Sequence, residues 1–344
     1  MRPFCCWLCV MGLLVSGCSP PARDLEQTTT RLMMGTLVTI TTFTTTAQPQ
    51  QWQERERQAV AAAFTAMEQV EQMASRHRDD SDVTRVNNAP RGELVVIPDG
   101  LVQMVRTGLE MSHRSGGAFD QGLLPLIRLW GFSEPLAPTH PPDPTAIQRW
   151  LTQRQQSQQP AIQLLPDARL VLRDDSVGLD LGGLAKGSAL NRALAVLQQQ
   201  GIDHALVNIG GDIRAHGRHG NRPWRVAIQH PRREQHILTT VELGAGESIF
   251  TSGDYERFFI HEGQRYHHIL DPATGFPARS GLISVSVWSR HDSSLPLDGW
   301  STALLVLGAE RGLEMLRSAT GIEALLVNEQ EEIIRTAGFP AIQR

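Results

Sequence analysis

The sequence predicts an α+β fold organised as one large domain. Three observations carry this. Long segments with apolar residues at helical spacing, such as Gln51 to Ala74 with Val60, Phe64, Met67 and Val70, sit among many short runs rich in Val, Ile and Thr. Those runs follow one another through turn signals instead of alternating regularly with helices, which argues against a repeated βαβ unit and for mixed or antiparallel sheets with flanking helices. The chain has 344 residues, and the part beyond the N-terminal leader is long enough for one sizeable core or two lobes around a cleft.

Residues 1–17 read as a signal peptide. Arg2 gives a minimal basic start, and Phe4 to Val15 is an apolar stretch too short to span a bilayer. It ends in Val15-Ser16-Gly17-Cys18, a spacing that resembles a bacterial lipobox and implies cleavage before Cys18 and diacylation of its sulfur. Residues 18–30 then read as a lipidated tether and 31–344 as the folded domain. All four cysteines (Cys5, Cys6, Cys9 and Cys18) fall in the leader or at its cleavage point, so the domain has no disulfide and no thiol chemistry.

Leu32 to Phe43 reads as a strand, Gln51 to Ala74 as a helix, and Leu101 to Arg114 as a second helix closed by Ser115-Gly116-Gly117. The proline-rich stretch Pro135 to Pro144 is a loop, after which Thr145 could cap a helix over Ala146 to Gln156. Ala161 to Asp180 reads as a hairpin turning at Pro166-Asp167-Ala168. A helix follows over Gly187 to Gln200, stopped by Gly201. Strands are expected at Ala205–Ile209, Trp224–Gln229, Ile237–Leu243, Arg257–Ile260 and Ile283–Trp288. Two helices, Gly299–Leu307 and Ala309–Ser318, precede a closing hairpin of Ala324–Asn328 and Ile333–Thr336.

Formal net charge is −4 and there is no long basic run, which argues against nucleic acid as a partner. Positive charge is carried by arginine almost throughout. The sole lysine, Lys186, lies inside the glycine-rich run Gly178-Leu179-Asp180-Leu181-Gly182-Gly183-Leu184-Ala185-Lys186-Gly187.

That run is the first of several clusters that suit chemistry. Glycines between a strand and a helix let backbone approach a ligand, and a helix N-terminus offers free N–H groups to an anion. The spacing fits neither the dinucleotide fingerprint nor a Walker loop, and a plain tight turn explains it equally well. Lys186 in that setting would face phosphate or adenine-ribose groups. Asn208-Ile209-Gly210-Gly211-Asp212 suits a hairpin turn or close packing against a cofactor. Gly117-Ala118-Phe119-Asp120 places a carboxylate beside an aromatic residue, compatible with hydrogen bonding to a heteroaromatic edge. Asp298 and Thr302, four residues apart on a helix, share a face and together offer hard oxygen donors of the kind Mg²⁺ takes; an N-cap Asp and a buried Thr are the simpler alternative. Finally, Thr251-Ser252-Gly253-Asp254-Tyr255-Glu256-Arg257 and His267-His268-Ile269-Leu270-Asp271-Pro272-Ala273-Thr274-Gly275 read as polar loops around a short hairpin, a usual place for a site.

Taken jointly, these segments resemble the ApbE family, the FAD:protein FMN transferases. The likeness runs from Met34-Gly35-Thr36 through Ser75 to Asn87, Gly117 to Asp120, Asp180 to Gly187, Asn208 to Asp212, Thr251 to Arg257 and His268 to Gly275, to Asp298–Thr302. It implies a single α+β catalytic domain with FAD in a cleft and Mg²⁺ at its diphosphate. By position, Met34, His77, Ala118, Phe119, Asp120, Asp180, Lys186 and Leu270 would contact FAD. The Gly183 carbonyl, Asp298, Ser301 and Thr302 fall at metal positions. His268 would sit near the reacting phosphate; for the base, the sequence leaves open His268 or a carboxylate such as Asp254. The chain departs from the family pattern at His77, where many members carry Tyr, and at Ser301, where some carry a second Asp.

The implied reaction is Mg²⁺-dependent transfer of FMN from FAD to a Thr or Ser hydroxyl of an acceptor protein, with release of AMP. The implied acceptors are membrane electron-transport subunits of the Rnf or Na⁺-translocating quinone reductase type. A lipid anchor on the periplasmic side of the inner membrane, or of the outer membrane, suits such partners. Two other readings use the same features: an FAD pyrophosphatase releasing FMN and AMP, and a lipoprotein that binds FAD without reacting.

Overall fold

A computed structural model describes residues 21–342, apart from 135, 137, 158, 159 and 291–293. The expected signal peptide and Cys18 lie outside the described residues. The chain begins with a hairpin, β1 (Arg23–Met33) and β2 (Thr36–Thr46), paired over its whole length. Here the expected tether is corrected. Residues 23–30 are strand, because their β-branched threonines face threonines across the pair, as in the Thr28–Thr41 and Thr30–Thr39 hydroxyl contacts of 3.1 and 3.0 Å. Polar composition made a strand look like a linker. The strand expected at Leu32–Phe43 likewise straddles the turn Met34-Gly35.

The elements that follow are α1 (Pro49–Ala74), α2 (Asp82–Asn88), β3 (Val95–Val96), α3 (Asp99–Arg114), α4 (Leu124–Leu129) and α5 (Pro144–Gln156). The cap of α5 is Asp143, whose carboxylate accepts from the Thr145 N–H at 2.8 Å, with Pro144 at the first helical position. Thr145 is thus one residue inside the helix it was expected to cap. The hairpin β4 (Ile162–Leu165) and β5 (Arg169–Leu172) leads into α6 (Gly182–Gln199), then β6 (Ala205–Ile209), β7 (Asp212–His216), β8 (Trp224–Gln229), β9 (Ile237–Leu243) and β10 (Ser248–Gly253). A second tight hairpin joins β11 (Phe258–His261) to β12 (Gln264–His267). The chain closes with β13 (Leu282–Ser289), α7 (Leu297–Leu316), β14 (Ile322–Asn328), β15 (Ile333–Arg335) and β16 (Ala341–Ile342). The two helices expected at 299–318 are one element broken at Gly308, whose φ of 80° no helix accommodates.

Eight strands form the central sheet in the order β1-β2-β6-β7-β10-β13-β14-β15, with every paired strand antiparallel. Successive side chains point to opposite faces, so Leu326 enters one core while Leu325 and Val327 enter another. The larger core lies under α1, α3, α6 and α7; the smaller lies under the β8–β9 sheet. All eight residues of β13 are buried, as expected for a strand covered on both sides. A third, aromatic cluster joins Trp130, Phe132 and Trp150 to Phe259 of the β11–β12 hairpin. The fold is α+β in a single domain.

Candidate active site

An open cleft of about 800 Å³ lies between the main core and the aromatic cluster. Eight separate stretches of chain line it. Each begins or ends a regular element, so the wall is set by the scaffold. Met34 stands at the tip of the first hairpin with φ of 52°, beside Gly35 at 72°. A two-residue turn with both φ values positive matches the twist of its strands, but a Met in that region is uncommon, and its strain falls on the cleft wall. His77, Ala118, Phe119, Asp120, Asp180, Lys186, Leu270, Gly183, Asp298, Thr302 and His268 all line the same cleft. The structure therefore gathers every expected ligand-facing residue except two, Asp254 and Ser301.

Glycine is required at the α6 start. A Cβ on Gly183 would lie 3.0 Å from the Phe119 ring, and one on Gly187 would lie 2.4 Å from the Ser294 carbonyl oxygen. Asp180 accepts from the Gly182 N–H at 2.8 Å and pairs with Arg76 at 2.6 Å, fixing the turn from both sides. Asp120 accepts from the Gly122 N–H at 2.7 Å and pairs with Arg154.

Lys186 does not stand free to meet a phosphate. Its ammonium is in contact with Asp212 and lies 3.5 Å from Asp298 Oδ2. Burial works against its charge, yet the two carboxylates outweigh that and hold its pKa above the ordinary lysine value. Asp298 is 6% exposed, and burial raises its carboxyl pKa against the pull of Lys186. Its Oδ2 has no hydrogen-bond partner. The Lys186 ammonium is the only cation near it among the described residues, and it is shared with Asp212, so this oxygen is only partly compensated for its burial.

Asp254 is corrected as a base. Both its oxygens receive the Arg232 guanidinium at 2.7 Å, and it is 6% exposed, away from the cleft wall. The bidentate pair anchors the loop that carries Glu256 and Arg257 to the wall. Ser301 is corrected as a metal ligand: it is fully buried, and its hydroxyl donates to the Asp298 carbonyl at 3.0 Å. Thr251 and Ser252 were expected on a loop but belong to β10, whose hydroxyls face α7 and β13. Small polar residues in a strand are legible only once the strand's neighbours are known.

His268 Nδ1 lies 3.2 Å from the Arg257 carbonyl. A carbonyl only accepts, so Nδ1 carries the proton and Nε2 keeps its lone pair. Burial, then the neighbouring His267 and Arg257, push the His268 pKa down to about 3. The ring is neutral throughout the physiological range. Below its ordinary pKa near 6.5 the unfolded chain binds a proton that the folded chain refuses, so stability is fully present above that pH and falls as pH drops towards 3. His77, His216, His230 and His267 are lowered as well, each chiefly by burial. Asp212 and Glu256, raised to about 7, gain stability as pH falls and oppose the histidines, so the His268 contribution is read by difference: between about pH 7.5 and about pH 5 the parent is expected to lose more Tm, or gain less, than His268→Asn. The same Tm change in the parent and in His268→Asn would contradict the buried neutral state.

Sequence reasoning passed over four contributors. Arg76 and Asp212 act through their ion pairs. Arg257 donates to the Phe132 carbonyl at 2.8 Å and has no carboxylate pair among the described residues, which leaves its charge to the cleft. Glu256 lines the open cleft, where desolvation, against the pull of Lys186 and with Asp298 nearby, raises its carboxyl pKa to about 7. Nothing in residue type alone separates Glu256 from a surface glutamate.

A model of the ApbE family matches residues 34–326. The chain belongs to the ApbE family. It is similar to the FAD:protein FMN transferase of Treponema pallidum, 31% identical over 346 residues that span 97% of this chain and 92% of that protein. The protein of the same name from Vibrio cholerae is 30% identical, over 95% of this chain and 94% of its own. Among solved structures, the flavin transferase ApbE of Vibrio cholerae matches with a TM-score of 0.78 at 27% identity, covering 94% of this chain and all of that one. The Thermotoga maritima ApbE protein matches with a TM-score of 0.80 at 28% identity, covering 91% and 97%. The expected membership and the expected α+β fold are both borne out. The cleft described above falls within the ApbE match: every lining residue lies between Met34 and Thr302.

Proposed function

We propose that this ApbE chain is an FAD:protein FMN transferase that moves the FMN part of FAD to a Thr or Ser hydroxyl of an acceptor protein. The observation that carries this is the pairing of Asp298 and Thr302 on one face of α7, open to a cleft whose volume suits a large cofactor. The Asp298 carboxylate, held only by the Lys186 ammonium it shares with Asp212, fits a hard divalent cation, with Thr302 and Gly183 as its neighbours on the wall. Bound there, Mg²⁺ supplies neutralisation of charge on the FAD diphosphate.

The chain's own residues do the rest. Arg257, with no carboxylate pair among the described residues, offers its charge to the diphosphate. In the reaction the acceptor's hydroxyl oxygen bonds to the FMN-side phosphorus. The bond from that phosphorus to the bridging oxygen breaks, and AMP leaves with the bridging oxygen and its electron pair. The hydroxyl proton goes to a base, which works best with a pKa near the working pH. Glu256 lines the cleft beside Asp298, with its carboxyl pKa raised by desolvation, and is the carboxylate we assign as the base. His268, at about 3, does not meet that condition, and its Nε2 serves instead as a neutral hydrogen-bond acceptor.

A lipid anchor at Cys18 on the periplasmic side of the inner membrane, and acceptors of the Rnf or Na⁺-translocating quinone reductase type, complete the reading. Incubation of the full chain with FAD, Mg²⁺ and such an acceptor domain is expected to give flavin fluorescence on the acceptor in a denaturing gel and one AMP per flavin attached. AMP without labelled acceptor would make the protein a pyrophosphatase, and FAD bound with no AMP would make it a carrier.

A further inference from the structure

Three hydroxyls lie in a row behind the proposed cation position. Ser301 Oγ is 2.8 Å from Ser252 Oγ, and Ser252 Oγ is 3.3 Å from Thr302 Oγ1. Taken singly, either partner in each contact could be the donor. The far end of the row removes that freedom. Ser301 has one proton, and it goes to the Asp298 carbonyl at 3.0 Å, which can only accept. Ser301 must therefore accept from Ser252. Ser252 has then spent its proton and must accept from Thr302. Thr302 is left with its proton turned into the protein and its lone pairs turned to the cleft.

We propose that Ser301 and Ser252 are positioning residues that fix the Thr302 hydroxyl as a pure acceptor, poised for a divalent cation beside Asp298. Ser301 is fully buried and Ser252 is 6% exposed, so water does not compete strongly for either. Ser301 thus supports the cation through two hydroxyls without touching it. The Asp298 carbonyl that anchors the row belongs to the same residue whose carboxylate faces the cation, so both donors are tied to one turn of α7. This inference rests on the proposed divalent site.

The test is Mn²⁺ alone titrated into the purified full chain, read by electron paramagnetic resonance. Asp298→Ala is expected to abolish the bound signal. Ser301→Ala frees the Ser252 proton to turn towards Thr302, which reverses that bond and aims the Thr302 proton at the cation. Affinity is expected to fall about tenfold, the usual scale for loss of a group that orients a metal ligand. Ser252→Ala, which takes away the acceptor for the Thr302 proton, is expected to act similarly and serves if Ser301→Ala folds poorly. In a Thr302→Ala background, Ser301→Ala is expected to change nothing further, since the group being oriented is gone. Unchanged affinity in Ser301→Ala and Ser252→Ala, or the same tenfold loss in both backgrounds, would overturn the ordered row while leaving the cation site standing. Absence of Mn²⁺ binding in the parent chain, or binding that survives Asp298→Ala, would overturn the cation site and the row with it.

Discussion

Asp298→Ala is expected to stop flavin transfer, lowering the rate by about a thousandfold or more, equivalent to about 4 kcal/mol in the barrier. The expectation follows from where the carboxylate stands. It is 6% exposed, lacks a hydrogen-bond partner for Oδ2, and looks into the cleft from the first turn of α7. Its truncation takes away the only acid on that face of the helix turn, while Thr302 and a carbonyl alone bind Mg²⁺ poorly. Stability should move little or improve, because a carboxylate held in an unfavourable setting is gone and the Lys186 ammonium keeps Asp212. The measurement is acceptor fluorescence and AMP release at ordinary and at excess Mg²⁺, beside a melting curve. Transfer that persists at ordinary Mg²⁺ would end the metal assignment.

Lys186→Met is expected to have the largest effect on folding of any cleft substitution, about 3 kcal/mol or more. Removing the ammonium leaves Asp212, 1% exposed in its side chain, and Asp298 buried with no counter-charge between them. The loss should be greatest at neutral and alkaline pH, where both carboxyls tend to ionise, and smaller in acid, where they take up protons. Lys186→Met combined with Asp212→Asn should regain most of the stability, since one buried charge is removed with the other. Activity should stay low in the double variant, because the cleft electrostatics remain altered. Urea denaturation of the two variants checks this. A loss below about 1 kcal/mol in Lys186→Met would mean that the trio behaves as a solvated surface pair.

Much of the fold was legible in the sequence, for reasons particular to each element. The long helices α1 and α3 announce themselves by periodicity, and the break in α7 by Gly308. The strands β7 and β10 were not read, because β7 follows a glycine pair that looked like the end of a hairpin and β10 carries Thr, Ser and Gly where a buried strand usually carries aliphatic residues. β10 can hold hydroxyls inside the protein only because β13 and α7 bring Ser286 and Ser301 to meet them. Such pairing is a tertiary fact with no local signal. The same limit applied to the site. Residue type and spacing assembled Asp298 with Thr302, but whether Asp254 or Ser301 faces a ligand depends on Arg232 and on the inner side of α7. Arg232 lies 22 residues away from Asp254, and Ser252, which meets Ser301 on that inner side, lies 49 away from it in the chain.

The ion-paired Lys186 has one more consequence. It is the sole lysine of the sequence, so the only side-chain amine in the protein stands at the cleft wall between two acids. Acylating reagents that decorate most proteins indiscriminately would find a single internal target here, shielded while the trio is intact. Mass added to that one peptide therefore clocks how often this corner of the molecule opens.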